Sequence, residues 1–260
     1  DASWQEIVPG VSIKFYDAGH ILGSAVTVIR YEEHGTTKHI AYTGDLGPND
    51  VPLLYNPETP VEEIHTLLLE STYGNRNHEG LDESKNRLAQ TITDVCKRGG
   101  VMVVPAFSLG RTQMLVYIIH QLLDANRIPN FPIFVDSPLA SDITNVYEKY
   151  AGMYDKETGI DFAREGDMPL EFRNLVYTRS AEESKALNDK KGPFMVISAS
   201  GIMTAGRVVL HLRHRIADPR NAIFITGYQA AGTIGRRILS GATHIELHGD
   251  QFPVRAQVVL

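Results

Sequence analysis

The chain has a single cysteine, Cys96. That excludes an internal disulfide and a thiolate metal cage, and it points to a reducing, cytoplasmic setting. Long apolar runs are missing too. Uncharged apolar stretches such as Val101–Leu109 and Met114–Ile119 are far shorter than the roughly 18–20 residues that cross a bilayer, so no membrane span is expected. The start, Asp1-Ala-Ser-Trp-Gln-Glu, shows neither an initiator Met nor the basic, apolar and small-residue order of a secretory leader. This leads to the expectation that the chain is cut from something longer. There is no repeat of 20–50 residues and no low-complexity tract. An excess of positive charge is also lacking: 25 Lys+Arg stand against 31 Asp+Glu, a net charge of −6. This argues against nucleic-acid binding by the whole surface while leaving room for a local basic groove. What remains is an ordinary globular composition, 43% apolar and 22% charged over 260 residues, enough for one large domain or two modest ones.

The first seventy residues read as strands and turns. Val11–Tyr16 alternates, Ser24–Tyr31 is rich in β-branched residues, and His39–Thr43 and His65–Leu69 are short apolar runs punctuated by glycines. From about Asp82 the rhythm changes. A helix with Leu88, Ile92, Val95 and Cys96 on one face ends at Gly99-Gly100 and leads into the apolar run 101–105. Helices are then expected over 110–125, 141–150, 206–216 and 233–240, with strands at 133–135, 195–199 and 222–226 between them. Apolar strands alternating with helices predict a parallel α/β sheet covered on both faces, with a boundary near residue 75. The polar stretch 150–174 reads as an excursion from that core.

Three segments carry candidate chemistry. Asp17-Ala-Gly-His20-Ile-Leu-Gly-Ser-Ala25 places a histidine in a Gly-flanked turn, and Tyr42-Thr-Gly-Asp45-Leu-Gly47 places a carboxylate at a strand end between glycines. Imidazole nitrogen and carboxylate oxygen suit a zinc or manganese site, although a solvated turn histidine and a loop-capping aspartate are the plainer roles. Leu67-Leu-Leu-Glu70-Ser-Thr-Tyr-Gly74 puts a glutamate just past a strand, where the active sites of layered α/β proteins gather; pairing with a nearby arginine is its plainer role.

Taken in order, these segments resemble the β-CASP group of metallo-β-lactamase-fold ribonucleases, relatives of bacterial ribonuclease J and of the endonuclease that cleaves messenger-RNA 3′ ends. Pro105-Ala-Phe-Ser-Leu-Gly-Arg-Thr-Gln113, Val135-Asp-Ser-Pro-Leu-Ala140, the Ser198–Arg207 segment and Phe224–Gly235 extend the likeness to the prokaryotic branch. The resemblance implies an α/β fold in which residues 1–75 are the second half of a metallo-β-lactamase αββα sandwich. Residues 76–250 would be an inserted β-CASP cap with a parallel, doubly covered sheet, and residues 251–260 a return to the first domain. It implies two zinc ions, with His20 a ligand of one and Asp45 bridging both. Glu70 would be the acid that holds a proton-donating histidine. It further implies RNA as substrate, cleaved in a cleft between the domains to leave a 3′-hydroxyl and a 5′-phosphate. A homodimer is compatible with it.

The departures from the pattern also inform. The H-x-H-x-D-H signature that supplies most ligands in relatives is absent, as are the later family segments carrying two further histidines. An internal piece of a catalytic domain is therefore expected, binding metal weakly or not at all by itself. His211 and His214 are read as part of a positive, solvated helix face with Arg207, Arg213 and Arg215. Residues 206–220 hold four Arg and one Asp, a local charge of +3. His244 and Glu246 alternate with Ile245 and Leu247 along a strand, and His248 is not taken as a ligand. His34, His39, His65, His78 and His120 read as ordinary surface or strand-end residues. For RNA phosphates the candidates are Ser108, Arg111, Ser200, Gly201, Thr204 and Arg207, at two strand-to-helix turns. Tyr73 and Phe107 could stack on bases, with core packing the plainer role for Phe107. Two rival functions stand beside the nuclease: a non-catalytic paralogue that binds RNA or scaffolds a processing complex, and a hydrolase of small esters or thioesters. The long insertion after Glu70 counts against the second.

Overall fold

The computed structural model describes residues 3–75, 77, 80–165 and 169–260. It divides into two compact units, Asp1–Glu79 with Tyr150–Arg164, and Gly80–Lys149 with Glu165–Leu260. Arg76 and His78 lie outside the described residues.

The first unit is a five-stranded sheet in the order β1 (Gln5–Val8), β2 (Val11–Asp17), β3 (Ala25–Glu33), β4 (Thr36–Tyr42) and β5 (Thr66–Leu68). Neighbours run antiparallel except β4 and β5. Alternation along β2 and β3 places Tyr16, Val26 and Val28 on one buried face with Ala18 and Ala41, and Trp4, Leu46 and Ile64 pack against them. His34 and Gly35, both at positive φ, form the two-residue turn that closes the β3–β4 hairpin.

The second unit holds a six-stranded, all-parallel sheet. Its order is β13 (Gln257–Val259), β10 (Ala222–Phe224), β6 (Val101–Pro105), β9 (Phe194–Ser198), β7 (Ile133–Asp136) and β8 (Leu175–Tyr177). β6, β9 and β10 are buried at every residue. Val101, Val103, Phe194, Val196 and Ile223 face a core built with α6 (Arg207–Arg215) and α7 (Ile234–Leu239). Met102, Val104, Met195 and Ile197 point the other way and are buried as well, so both faces are covered as the sequence predicted. The other helices are α1 (Leu81–Lys97), α2 (Arg111–Asp124), α3 (Pro138–Lys149) and α5 (Ala181–Asp189), and β11 (His244–Leu247) pairs with β12 (Asp250–Pro253) in a separate hairpin.

The structure departs from the sequence reading in two places. Residues 150–164, which include most of α4 (Lys156–Glu165), belong to the first unit rather than to a continuous cap. A β-bridge joins Leu54 to Tyr154, and the Leu53 amide donates to Thr158 Oγ1 at 3.1 Å. Residues 251–260, expected to return to the first unit, stay in the second, because β13 pairs in parallel with β10 from Ala222↔Gln257 to Phe224↔Val259. Among the described residues no helix is long and apolar enough to cross a membrane.

Candidate functional site

In the first unit three strand ends deliver His20, Asp45 and Glu70 to one corner. After β2 the chain turns tightly. The Gly19 amide donates to Asp17 Oδ1 at 2.8 Å, and Ser24 Oγ accepts from the amides of His20 and Ile21 at 3.1 and 3.2 Å. After β4, Thr43 Oγ1 donates to the Gly44 carbonyl, and the Gly47 amide donates to the Ala18 carbonyl at 2.8 Å. That last bond joins the Asp45 turn to the His20 turn, and it needs a glycine. A Cβ at Gly47 would lie 1.8 Å from the Gly19 carbonyl oxygen. The outcome is His20 Nε2 at 4.0 Å from Asp45 Oδ2, with their side chains 40% and 75% exposed.

Glu70 ties the corner together. One carboxylate oxygen accepts from the Leu46 amide at 3.3 Å and the other from the Thr72 amide at 2.8 Å, while the Glu70 amide donates to Thr43 Oγ1 at 3.2 Å. The Thr72 amide bond is the main reason its carboxyl is held below the usual range, against some desolvation and with lesser help from the Leu46 amide and nearby His20. The donor chemistry of His20 and Asp45 fits one side of a divalent cation, a ring nitrogen beside a carboxylate oxygen. Among the described residues no group of three or more His, Cys, Asp or Glu side chains is arranged to hold a metal ion.

In the second unit the candidate phosphate contacts lie past the C-terminal ends of parallel strands, the edge where open α/β sheets bind ligands. Ser108 follows β6, and its hydroxyl is 2.9 Å from that of Ser137, which accepts the Ala140 amide at the start of α3. Arg111 opens α2. Ser200, Gly201 and exposed Thr204 form the turn between β9 and α6. Ser200 Oγ is shielded from solvent without a hydrogen-bond partner among the described residues, and the Gly201 carbonyl accepts from Gln229 Nε2 at 2.9 Å.

Arg207 is not presented as a free cation. It pairs with Asp136 at 2.7 Å and donates to the Arg179 carbonyl at 3.1 Å. The solvated basic helix face read from the sequence is corrected here. His211 is 1% exposed, its Nε2 2.6 Å from Asp136 Oδ2. Arg213 pairs with Asp250 and Arg220 with Asp218, while Arg215 donates to the carbonyls of Leu187, Asn188 and Lys190. The local charge of +3 is thus largely met by internal partners. His214 remains exposed, its ring nitrogen 2.8 Å from the Leu210 carbonyl. Of the remaining histidines, His120 is not a surface residue. It is half-buried in α2 and contacts the Pro169 carbonyl and Asp124. His244 and Glu246 are exposed between buried Ile245 and Leu247, as expected, and His248 sits at positive φ in the hairpin turn.

Asp136 is the residue whose importance the sequence reading missed. At 0% exposure it accepts from Thr178 Oγ1 (2.5 Å), Ser184 Oγ (2.6 Å), Arg207 and His211. Burial alone would push its carboxyl up; the bonds from His211, Ser184, Thr178 and Arg207 outweigh that and hold it far below the usual range. A signal was present. Arg207 and His211 are four apart on α6 and so project from the same face, where one acid can meet both.

Residues 112–238 match the Beta-Casp domain family. The chain is 32% identical over 248 residues to a ribonuclease of Thermus thermophilus, covering 95% of this chain and 56% of the relative. It is 31% identical over 265 residues to an RNase J-like protein of Methanocaldococcus jannaschii, covering 98% and 58%. To the transcription termination factor FttA of the same archaeon it is 31% identical over 246 residues, covering 93% and 38%. The chain therefore spans little more than half the length of the first two relatives and less of the third. Ordered motifs on a parallel α/β sheet, a family match over four of its six strands and relatives aligned along nearly the whole chain converge on one conclusion: this chain belongs to the β-CASP family.

Proposed function

We propose that the protein carrying this chain is a zinc-dependent ribonuclease that hydrolyses RNA phosphodiester bonds, with His20 and Asp45 among the donors to a pair of zinc ions. The observation that carries this reading is the convergence of an imidazole and a carboxylate, 4.0 Å apart, on turns locked to one another by the Gly47–Ala18 hydrogen bond. The ribonuclease and RNase J-like names of its relatives support RNA as the substrate class. Zinc, when bound, polarises a phosphodiester and makes water a stronger acid.

The chain's own residues do the positioning. His20 offers a ring nitrogen from a turn pinned by Ser24, and Asp45 offers a carboxylate left largely open to solvent. Glu70 remains ionised at neutral pH and fixes the Asp45 turn through the Leu46 amide. The family resemblance gives Glu70 the role of holding a proton-donating histidine, and its carboxylate retains lone pairs for such a partner. Ser108, Arg111, Ser200, Gly201, Thr204 and Arg207 form the phosphate side of this reading. Arg207, its charge met by Asp136, serves there by holding the start of α6 in place.

Single-turnover cleavage of end-labelled RNA by the full-length protein tests this, before and after chelation and on addition of zinc. Activity lost on chelation and restored by zinc is expected. Cleavage that persists in fully metal-free protein would overturn the reading, and RNA binding without cleavage under any metal would favour a non-catalytic paralogue.

A further inference from the structure

Phe107, which the sequence allowed as a core residue, is 50% exposed. It stands just past β6, and its backbone is fixed on both sides. The Ala106 amide donates to the Ser198 carbonyl at 3.0 Å, and the Phe107 carbonyl accepts from the amide and hydroxyl of Thr112 at 3.3 and 2.7 Å. One flank of the ring rests on bare backbone: a Cβ at Gly201 would lie 2.8 Å from Phe107 Cδ2 and 2.9 Å from Cε2. Gly201 is held in turn by Gln229, which is 3% exposed and donates to the Gly201 carbonyl. The residue before Gln229 is Tyr228, 42% exposed. Its loop follows β10, the neighbour of β6, and is tied to the end of β6 by Thr226 Oγ1 donating to the Pro105 carbonyl at 3.1 Å.

We infer that Phe107 and Tyr228 form a stacking platform for unpaired RNA bases at the C-terminal edge of the second unit's sheet. The inference rests on the ribonuclease reading for its substrate class. Single exposed apolar residues are ordinary on protein surfaces. A half-exposed ring with an immobilised backbone and one packed flank is different, because its ordering cost falls on folding and not on binding. Aromatic faces bind the bases of single strands with little sequence preference, since every base presents a π-face. Next to Phe107, the paired hydroxyls of Ser108 and Ser137 offer polar contacts to the sugar-phosphate chain. An aromatic surface beside hydroxyl groups matches a nucleotide better than it matches a purely apolar segment.

Binding is measured by fluorescence anisotropy with the full-length protein in chelator, which prevents cleavage. Two labelled octamers carry the same number of phosphates, one of ordinary unstructured RNA and one with every base removed. Phe107→Ala is expected to weaken binding of the ordinary octamer about 5- to 150-fold, the range that follows from about one stacked base. Phe107→Trp retains binding, and the wild type and both variants bind the base-free octamer weakly and equally. Equal weakening toward both octamers, or unchanged binding of the ordinary one, overturns the platform while leaving the ribonuclease reading in place. Failure of the wild type to bind either octamer overturns both.

Discussion

Two histidine–aspartate pairs in this chain use the same chemical groups in opposite surroundings. His20 and Asp45 lie 4.0 Å apart on loops, both well exposed. His211 and Asp136 lie 2.6 Å apart inside the second unit, with side chains 2% and 0% exposed. The inner carboxylate has four donors, from the two helices α5 and α6 and the loop after β8; its capacity is used up by the protein itself. The outer carboxylate is positioned by its turn and left open. A satisfied buried pair anchors strands and helices, whereas an exposed, under-coordinated pair at strand ends is available to a ligand. Resemblance in residue type says nothing about which of these a pair will be; the number of partners does.

The sharpest way to break this comparison is to remove one carboxylate from each pair. Asp136→Ala leaves Arg207 and His211 buried without their acid and is expected to cost about 3–5 kcal/mol in denaturant unfolding. Asp45→Ala, at an exposed turn, is expected to change stability by less than about 0.5 kcal/mol, while lowering RNA cleavage by the full-length protein at least about 100-fold, no less than loss of a group that merely supports a metal ligand. Gly47→Ala sits between these cases. Its methyl group would meet the Gly19 carbonyl oxygen, so the two turns must separate, at about 1–3 kcal/mol and with reduced cleavage.

Acid sharpens the contrast further. Because the folded pKa of Asp136 lies below its unfolded value near 3.8, its contribution to stability is fully present above that pH and is lost as the pH falls through and below it. Urea unfolding of wild type and Asp136→Asn should converge as the pH drops below about 4. The smallest effect is expected at Ser180, whose hydroxyl accepts the Glu183 amide and caps α5, the helix that brings Ser184 to Asp136. Ser180→Ala should cost about 1 kcal/mol in the same assay.

Much of this arrangement was legible in the sequence. The strands β2, β3, β4, β6, β7, β9 and β10 and the helices α1, α2, α3, α6 and α7 announced themselves through apolar periodicity and glycine punctuation. The motifs around His20, Asp45 and Glu70 fell at the strand ends where they were placed. What escaped detection was weakly patterned. α5 buries only Ser184 and Leu187, so its signal lay in the capping box of Ser180 and Glu183 and not in an apolar stripe. The assignment of 150–164 to the first unit depends on contacts roughly a hundred residues away in sequence, such as Leu53 with Thr158, which no local pattern encodes. The basic helix misled for a related reason. Charge counted along a segment does not reveal where each guanidinium points, and the partners of Arg207, Arg213 and Arg215 come from distant parts of the chain.

The central claim, that His20 and Asp45 work jointly at one metal-dependent centre, is tested most directly by a double-mutant cycle in single-turnover RNA cleavage by the full-length protein. His20→Ala and Asp45→Ala should each abolish most of the rate, and the double variant should be scarcely slower than either alone, with thermal unfolding unchanged throughout. Full activity in Asp45→Ala, or losses that simply multiply in the double variant, would contradict a shared centre.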